Sequence, residues 1–376
     1  ALLTGSATTA HRRAALLDTV SGQAGIVIGT HALLQERVDF LDLGLVVVDE
    51  QHRFGVEQRD ALRAKAATPP HVLVMTATPI PRTVAMTVFG DLEVATLTEL
   101  PLGRAPISTH VVPAAEKPHY LDRAWVRVRE EVQGGHQAYV VCPRIGDDGE
   151  AGPEGDQDQP DSPADPAEVT ARRPPKAVVD VAAELERGPL AGLRLAVLHG
   201  RLPADDKDAI MRGFAAGAID VLIATTVIEV GVDVPNATAM VVLDADRFGV
   251  SQLHQLRGRV GRGTAPAVAL LVTEAEPGSP ARERLDAVAA TLDGFELSMV
   301  DLRSRREGDV LGAEQSGTHS SLRLLRVTRD EAVIRAAREE AGALIDADPA
   351  LEAHPVLRAV IEQTLDPYRV DYLEKG

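Results

Sequence analysis

The sequence predicts an α/β protein built on parallel sheets, in two such units followed by a helical tail. Three observations carry this. Short β-branched runs recur: Ile26-Val27-Ile28, Leu45–Val48, Val72–Val74, Ala138–Cys142, Leu195–Leu198, Val221–Ile223, Met240–Leu243 and Val268–Leu271. They are apolar throughout, the pattern of strands covered on both faces. Amphipathic stretches lie between them; one places Leu121, Trp125, Val128 and Val132 on a single helical face, which makes the lone Trp a core residue. From about Glu274 the strand signal fades, and helical segments with Arg-rich loops take over.

A length of 376 residues suits two or three domains with ample core. Pro101-Leu102-Gly103-Arg104-Ala105-Pro106 reads as a linker. It separates a first unit over residues 1–100 from a second over residues 103–275, and residues 276–376 follow as a C-terminal region. The formal charge of −17 looks hostile to nucleic acid, but it is unevenly spread. Nine acids, with no Lys or Arg between them, fall from Asp147 to Glu168 in a segment rich in Gly and Pro. Such a segment cannot bury enough apolar surface to offset chain entropy, so residues 146–175 are expected to be a solvated, disordered insert. The remaining body is only mildly acidic, and local Arg clusters decide nucleic-acid contact. Aromatic residues, at 3%, are too scarce for a base-stacking platform. The single cysteine, Cys142, excludes an internal disulfide framework and fits a core thiol in a reducing, cytoplasmic compartment. No run is long and apolar enough to cross a bilayer.

The chemistry begins where Leu45–Val48 ends in Asp49-Glu50-Gln51-His52. A strand ending in two carboxylates places them at a sheet's carboxyl edge, where α/β folds bind ligands. In a nucleotide hydrolase Asp49 would hold Mg²⁺ through water, and Glu50 would orient and deprotonate the attacking water. A surface turn uses the same residues without chemistry. The sequence has no Gly-Lys dipeptide, so the phosphate-cradling loop that completes such a site is expected upstream of Ala1. In its absence Val47 and Val74 are expected to be exposed. Thr76-Ala77-Thr78-Pro79 follows a second strand; its hydroxyls can reach His52 and link the two loops, or form an ordinary Thr-Pro turn. Gln255, Gly258, Arg259, Gly261 and Arg262 form a third pattern, Gln-x-x-Gly-Arg-x-Gly-Arg. Its glycines let backbone approach a neighbouring surface. Its two arginines, three apart, can converge on one phosphate.

In order and spacing these segments resemble the motifs of superfamily 2 helicases, and more closely those of the RecG-type branched-DNA translocases. Leu3–Ser6 and Gly29–Leu33 resemble two upstream motifs, Asp49–Val56 the second helicase motif and Met75–Thr83 the third. Val197–Gly200 resembles the fourth, Ala224–Pro235 the fifth and Gln252–Arg262 the sixth. Asp301-Leu302-Arg303, Gly308–Gly312 and Gln315-Ser316-Gly317 resemble the translocation motif shared by RecG and Mfd. The sequence departs at Ser304-Arg305-Arg306-Glu307, where the family carries an Arg-Gly-Pro-Gly type turn. Gln51-His52 and the 101–106 linker favour RecG over Mfd.

The resemblance implies two RecA-like motor domains, the first incomplete, with a helical hairpin and a C-terminal extension. It implies ATP and Mg²⁺ as cofactors. Glu50, Gln255, Arg259 and Arg262 then serve catalysis, and Asp49, His52, Gly231 and Asp233 hold nucleotide, with Asp49 the metal residue. Thr30, His31, Arg82 and Thr225 touch DNA. Thr76, Thr78, Arg303, Arg306 and Gln315 couple hydrolysis to movement. The implied partner is branched double-stranded DNA, in stalled forks and Holliday junctions, for a nucleoid-associated bacterial monomer with single-strand DNA-binding protein as a candidate associate. Two alternatives stand beside this reading: an Mfd-like transcription-repair coupling motor, and a catalytically inactive DNA-binding or interaction fragment.

Overall fold

The structure, a computed structural model, describes residues 1–4, 7–35, 37–49, 62, 65–66, 68–76, 95–97, 105–143, 177–229, 233–304 and 330–364. The insert expected at 146–175 lies outside them, as do Glu50, His52, Thr78, Arg82, Gly231, Arg306 and Gln315 and the side chains of His31 and Arg303. The described residues fall into two compact units: those up to 76 with those from 330 onward, and those from 95 to 304.

In the first unit β1 (Leu2–Leu3) and β2 (Ile28–Gly29) pair in parallel across helix α1 (Thr9–Val20). The Thr8 hydroxyl accepts the His11 N–H and caps that helix, satisfying one of its free donors. A second parallel pair joins β3 (Leu45–Val48) to β4 (His71–Val74), with Val48 opposite Val74. Here the expectation of strands covered on both faces fails. Val46 and Val48 pack with Leu62, Val72 and Val74, whereas Leu45, Val47 and Leu73 face solvent. Strand residues alternate faces, and apolar groups among the described residues cover one face only. Val47 is 53% exposed as expected. Val74 is instead half-buried, because its register partner is Val48 and not Val47.

The second unit holds a six-stranded, wholly parallel sheet. Its elements are β5 (Ile107–Pro113), α2 (Pro118–Gln133), β6 (Gln137–Val141), α3 (Val178–Arg187), β7 (Leu195–Leu198) and α4 (Ala204–Ala215). They continue with β8 (Val221–Ala224), β9 (Ala237–Val242), α5 (Val250–Arg257), β10 (Ala267–Thr273), α6 (Pro280–Ala290) and α7 (Gly294–Ser304). The strand order is β5-β10-β9-β6-β8-β7. Every residue of β6, β8, β9 and β10 is buried, as their apolar runs require. One face packs on α2 and α3 through Trp125, Val128, Val181 and Leu185. The other packs on α4 to α7 through Phe214, Leu253, Leu256, Leu285 and Leu297. Cys142, directly after β6, is buried in the first of these cores.

Two final helices, α8 (Glu331–Ala347) and α9 (Pro355–Thr364), belong to the first unit. Among the described residues no helix is long and apolar enough to cross a membrane.

One buried polar group ties the sheet to a crossover. The Gln137 amide, 3% exposed at the start of β6, donates to the carbonyls of Phe214 and Ile219 at 2.6 and 2.8 Å. Replacing it with Leu would remove the Gln137 donor from the Ile219 carbonyl and leave the Phe214 carbonyl with the Gly217 N–H alone. Gln137→Leu is expected to lower unfolding stability by about 1–3 kcal/mol. Chemical denaturation measures this, and an unchanged midpoint would refute the role.

Candidate functional site

In the first unit the pairing of β3 with β4 sets the geometry. The Met75 N–H donates to the Val48 carbonyl at 2.8 Å, so Asp49 and Thr76 leave the sheet side by side at its carboxyl edge. Asp49 is exposed and Thr76 half-buried. An exposed carboxylate beside a half-buried hydroxyl residue suits a hard cation that keeps most of its water, which is how Mg²⁺ is usually held. Among the described residues no three of His, Cys, Asp and Glu gather as a cation cage. Thr30 is exposed at the head of the 3₁₀ turn His31–Leu34, directly after β2. The backbone there is tight: a Cβ at Gly29 would run into the Leu3 carbonyl and lie 2.8 Å from Leu33 Cγ.

In the second unit α5 carries the Gln-x-x-Gly-Arg-x-Gly-Arg pattern. The Gly249 N–H donates to Gln252 Oε1 at 3.1 Å and starts the helix. Leu253 and Leu256 then bury one face, and Gln255 is half-buried. The helix ends at Gly258, and a sharp turn follows. Gly261 takes φ +69°, the left-handed region, and a Cβ there would lie 2.7 Å from Ile107 Cγ1. Gly263 is as close, with a Cβ position 2.6 Å from the Pro235 carbonyl. The turn curls Arg262 back on itself. Its Nε donates to the Gly258 carbonyl at 3.0 Å, and its Nη1 lies 3.4 Å from Asp233 Oδ1.

Tyr139 lies beneath this turn, in the middle of β6. Burial pushes its phenol up to about 12, while the charges of Arg259 and Arg262 pull it down and that of Asp233 raises it. The Arg262–Asp233 contact joins the turn, which also carries Arg259, to the chain ahead of β9 at one point of the sheet's rim. That point is near the amino edge, because Ile107 opens β5 and Pro235 precedes β9. Thr225 leaves β8 at the opposite, carboxyl edge; it is buried, and its N–H donates to the Leu198 carbonyl. The structure therefore brings Asp233 and the two arginines together and holds Thr225 apart from them.

Sequence reasoning missed Arg257 in this segment. Its guanidinium is 2% exposed and donates to the carbonyls of Val288 and Thr291, both at 2.7 Å, and to His254 Nδ1 at 2.8 Å. Burial lowers its pKa to about 10, which leaves it charged at neutral pH. The signal was present: Arg257 stands seven residues after Val250 and four after Leu253, on the buried face of α5. Gly263 and Tyr139 were also passed over. Nothing local marks Tyr139, and Gly263 follows the motif's last arginine.

Two outcomes follow from this geometry. Gly261→Ala is expected to displace the turn, costing about 1–3 kcal/mol of stability and misplacing Arg262. A thermal melt and a nucleotide-binding titration check it, and unchanged values in both would refute the constraint. Burial, and then the Arg257 charge, lower the His254 pKa to about 4, against the opposing pull of Asp293. Unfolded chains bind that proton near pH 6.5, so stability is present above 6.5 and is lost as pH falls toward 4. His254→Gln should flatten the pH dependence of stability in that window, as read by denaturation at stepped pH.

Comparison with known proteins places the chain. Residues 1–87 match the model of DEAD/DEAH box helicases, and residues 175–264 match the helicase conserved C-terminal domain. Residues 291–372 match the C-terminal part of domain 3 of the ATP-dependent DNA helicase RecG. The chain is 55% identical to the ATP-dependent DNA helicase RecG of Mycobacterium leprae over 381 residues, covering 100% of this chain and 49% of that protein. It is 54% identical to that of Mycobacterium tuberculosis, again over 100% of this chain and 49% of the relative. The chain thus spans about half the length of the curated relatives it matches. A solved structure of RecG bound to a three-way DNA junction aligns with a TM-score of 0.59 at 36% identity, covering 89% of this chain and 39% of that one. Over the part of the protein that it spans, the chain belongs to the RecG family of ATP-dependent DNA helicases.

Proposed function

We propose that this chain is the motor part of an ATP-dependent helicase that moves on branched double-stranded DNA, such as stalled forks and Holliday junctions. The observation that supports this best is the match along the whole chain, at 55% identity, to a RecG helicase. Nothing in the comparisons favours a polymerase-coupled motor.

The chain carries both the acids and the arginines of the required charge pattern. Asp49 takes the metal through its hydration shell, from an exposed place at a strand end. The chemistry such a cation would supply is neutralisation of the charge that develops on the phosphates. Glu50, the next residue, accepts the proton of the attacking water. Arg259 and Arg262 offer guanidinium groups to the oxygens of the transferred phosphoryl. Arg262 must first exchange Asp233 for phosphate. Asp233 is 57% exposed, and such pairs are worth only about 0–1 kcal/mol, so the exchange costs little. Gln255, half-buried on α5 ahead of the turn, serves catalysis beside the two arginines, and Gly231, Asp233 and His52 complete the nucleotide contacts.

DNA contact falls to Thr30, His31, Arg82 and Thr225, and movement is coupled through Thr76, Thr78, Arg303, Arg306 and Gln315. Contacts to backbone phosphate dominate such tracking, so binding is salt-sensitive and indifferent to sequence.

In the full-length protein Glu50→Gln is expected to keep nucleotide affinity while turnover falls by about 10²–10⁴-fold. Arg259→Lys and Arg262→Lys should each lose most of the rate, because Lys lacks the planar fork. Steady-state ATP hydrolysis with a three-way junction measures all three. Near-normal rates in Glu50→Gln, or in both Lys variants, would overturn these roles. Absence of ATP hydrolysis by the chain itself, with or without the junction, would instead favour the inactive binding fragment.

A further inference from the structure

The least expected group in the second unit is the guanidinium of Arg257. It lies inside the helical face, yet its partners are three neutral acceptors. Two of them, the carbonyls of Val288 and Thr291, close the last turn of α6. Carbonyls at a helix C-terminus lack intrahelical donors, and the helix dipole favours a cation there. The third, His254 Nδ1, belongs to the same helix as Arg257 and accepts because the imidazole is neutral.

What Arg257 grips is an elbow. Thr291 Oγ1 accepts the Asp293 N–H at 3.0 Å. Asp293 Oδ1 in turn accepts the N–H of Phe295 at 2.7 Å and that of Glu296 at 3.4 Å, which starts α7. A single chain of bonds therefore runs from the end of α5 through Thr291 and Asp293 to the head of α7. Arg259 follows two residues after Arg257 at one end, and α7 runs on to Arg303 and Ser304 at the other.

Cohesion alone does not explain a charge at this place. Leu253, Leu256, Leu285, Val288 and Leu297 already share one apolar core. An apolar side chain of similar volume would pack as well, and a buried ion is weak evidence for stability. The guanidinium adds direction: Nη1 donates to both carbonyls while Nη2 in the same plane is held by His254 Nδ1, which sets the register of α5 against the elbow.

We infer that Arg257 is a positioning residue that welds the arginine-bearing turn to the α6–α7 elbow, so that displacement of the turn is carried to the end of α7. The functional consequence rests on the proposed reading of Arg259 and Arg262 as nucleotide-responsive. The weld itself rests only on the bonds described.

The test uses the full-length protein with Arg257→Met and Arg257→Lys, on one three-way junction. In Arg257→Met, hydrolysis without DNA should stay within about twofold of wild type, while junction unwound per ATP consumed falls by about tenfold or more. Arg257→Lys, which keeps a cation at the helix end, should recover part of that ratio. Unwinding and hydrolysis falling in parallel, with the ratio unchanged, would make Arg257 merely structural and overturn the inference. Amide hydrogen exchange at Phe295 and Glu296 supplies a readout independent of activity. It should quicken in Arg257→Met, and unchanged protection would overturn the weld. Should a melt show Arg257→Met unfolded, Arg257→Lys and Asp293→Ala carry the same comparison, Asp293→Ala loosening the elbow from its other side. A wild-type protein that hydrolyses ATP without responding to DNA would sink the functional reading while leaving the exchange result to decide the weld.

Discussion

The parallel alignment of all six strands in the second unit constrains everything else in it. Parallel neighbours need a crossover on one face or the other, so both faces are covered and the four inner strands, β10, β9, β6 and β8, are buried throughout. Each crossover also returns the chain to the amino edge before the next strand. The sheet therefore has two chemically separate rims. Chain leaving β7 and β8 presents His199 and Thr225 at the carboxyl rim. Chain about to enter β9 and β10 presents Asp233 and the Arg259–Arg262 turn at the amino rim. Two roles assigned to neighbouring motifs in the sequence are thus held apart by one sheet, and its strands together with the helices packed on them connect the two rims.

Those helices show how closely the backbone is fitted. At the amino rim the turn approaches β5 at Ile107 and the entry to β9 at Pro235, and only hydrogen at Gly261 and Gly263 leaves room. At the carboxyl rim Asp244 takes φ +48° directly after Leu243, a left-handed conformation that costs an ordinary residue about 1–2 kcal/mol. Asp tolerates it better than most because its short side chain can bond locally. Strain of this kind persists where surrounding contacts determine the path. Here Leu243 and Ala245 on either side are both buried, so the chain between them has little freedom.

Much of this was legible in the sequence. Ala237–Val242 and Ala267–Thr273 are wholly apolar but for threonine, and they are wholly buried. Trp125 and Val128 lie on the inner face of α2, where the periodicity put them. The register of β3 on β4 was not legible. Leu45–Val48 is as apolar as any strand in the chain, and periodicity alone cannot tell one covered face from two. Pairing decides it, because Val48 opposite Val74 selects one set of alternate residues for the core. At the site, the pattern of Gln, Gly and Arg marked the turn, and the turn does gather Arg259, Arg262 and Asp233. The pattern could not divide its arginines by role. That division depends on which residue falls on the buried side of a helix, and then on which carbonyls another helix leaves unpaired there.

The arginines of this segment also show why net charge is a poor guide to what a protein does with its cations. Arg257 lies inside the fold, holding a helix end. Arg262 is three-quarters buried and shares an exposed acid that phosphate could replace. The two differ little in sequence context, yet burial sets them opposite tasks. A cation bonded to fixed carbonyls cannot leave without exposing them, so it transmits motion and does not respond to ligand. Arg262 keeps one bond to a fixed carbonyl, that of Gly258, and turns its other end to a solvated carboxylate, which on the proposed reading it gives up at little cost when a stronger anion arrives. A formal charge of −17 conceals both behaviours, because neither depends on the acids elsewhere in the chain. The proposed responsiveness and the rigidity sit within five residues of each other, and on that reading the short link between them lets a local exchange of anions move a helix.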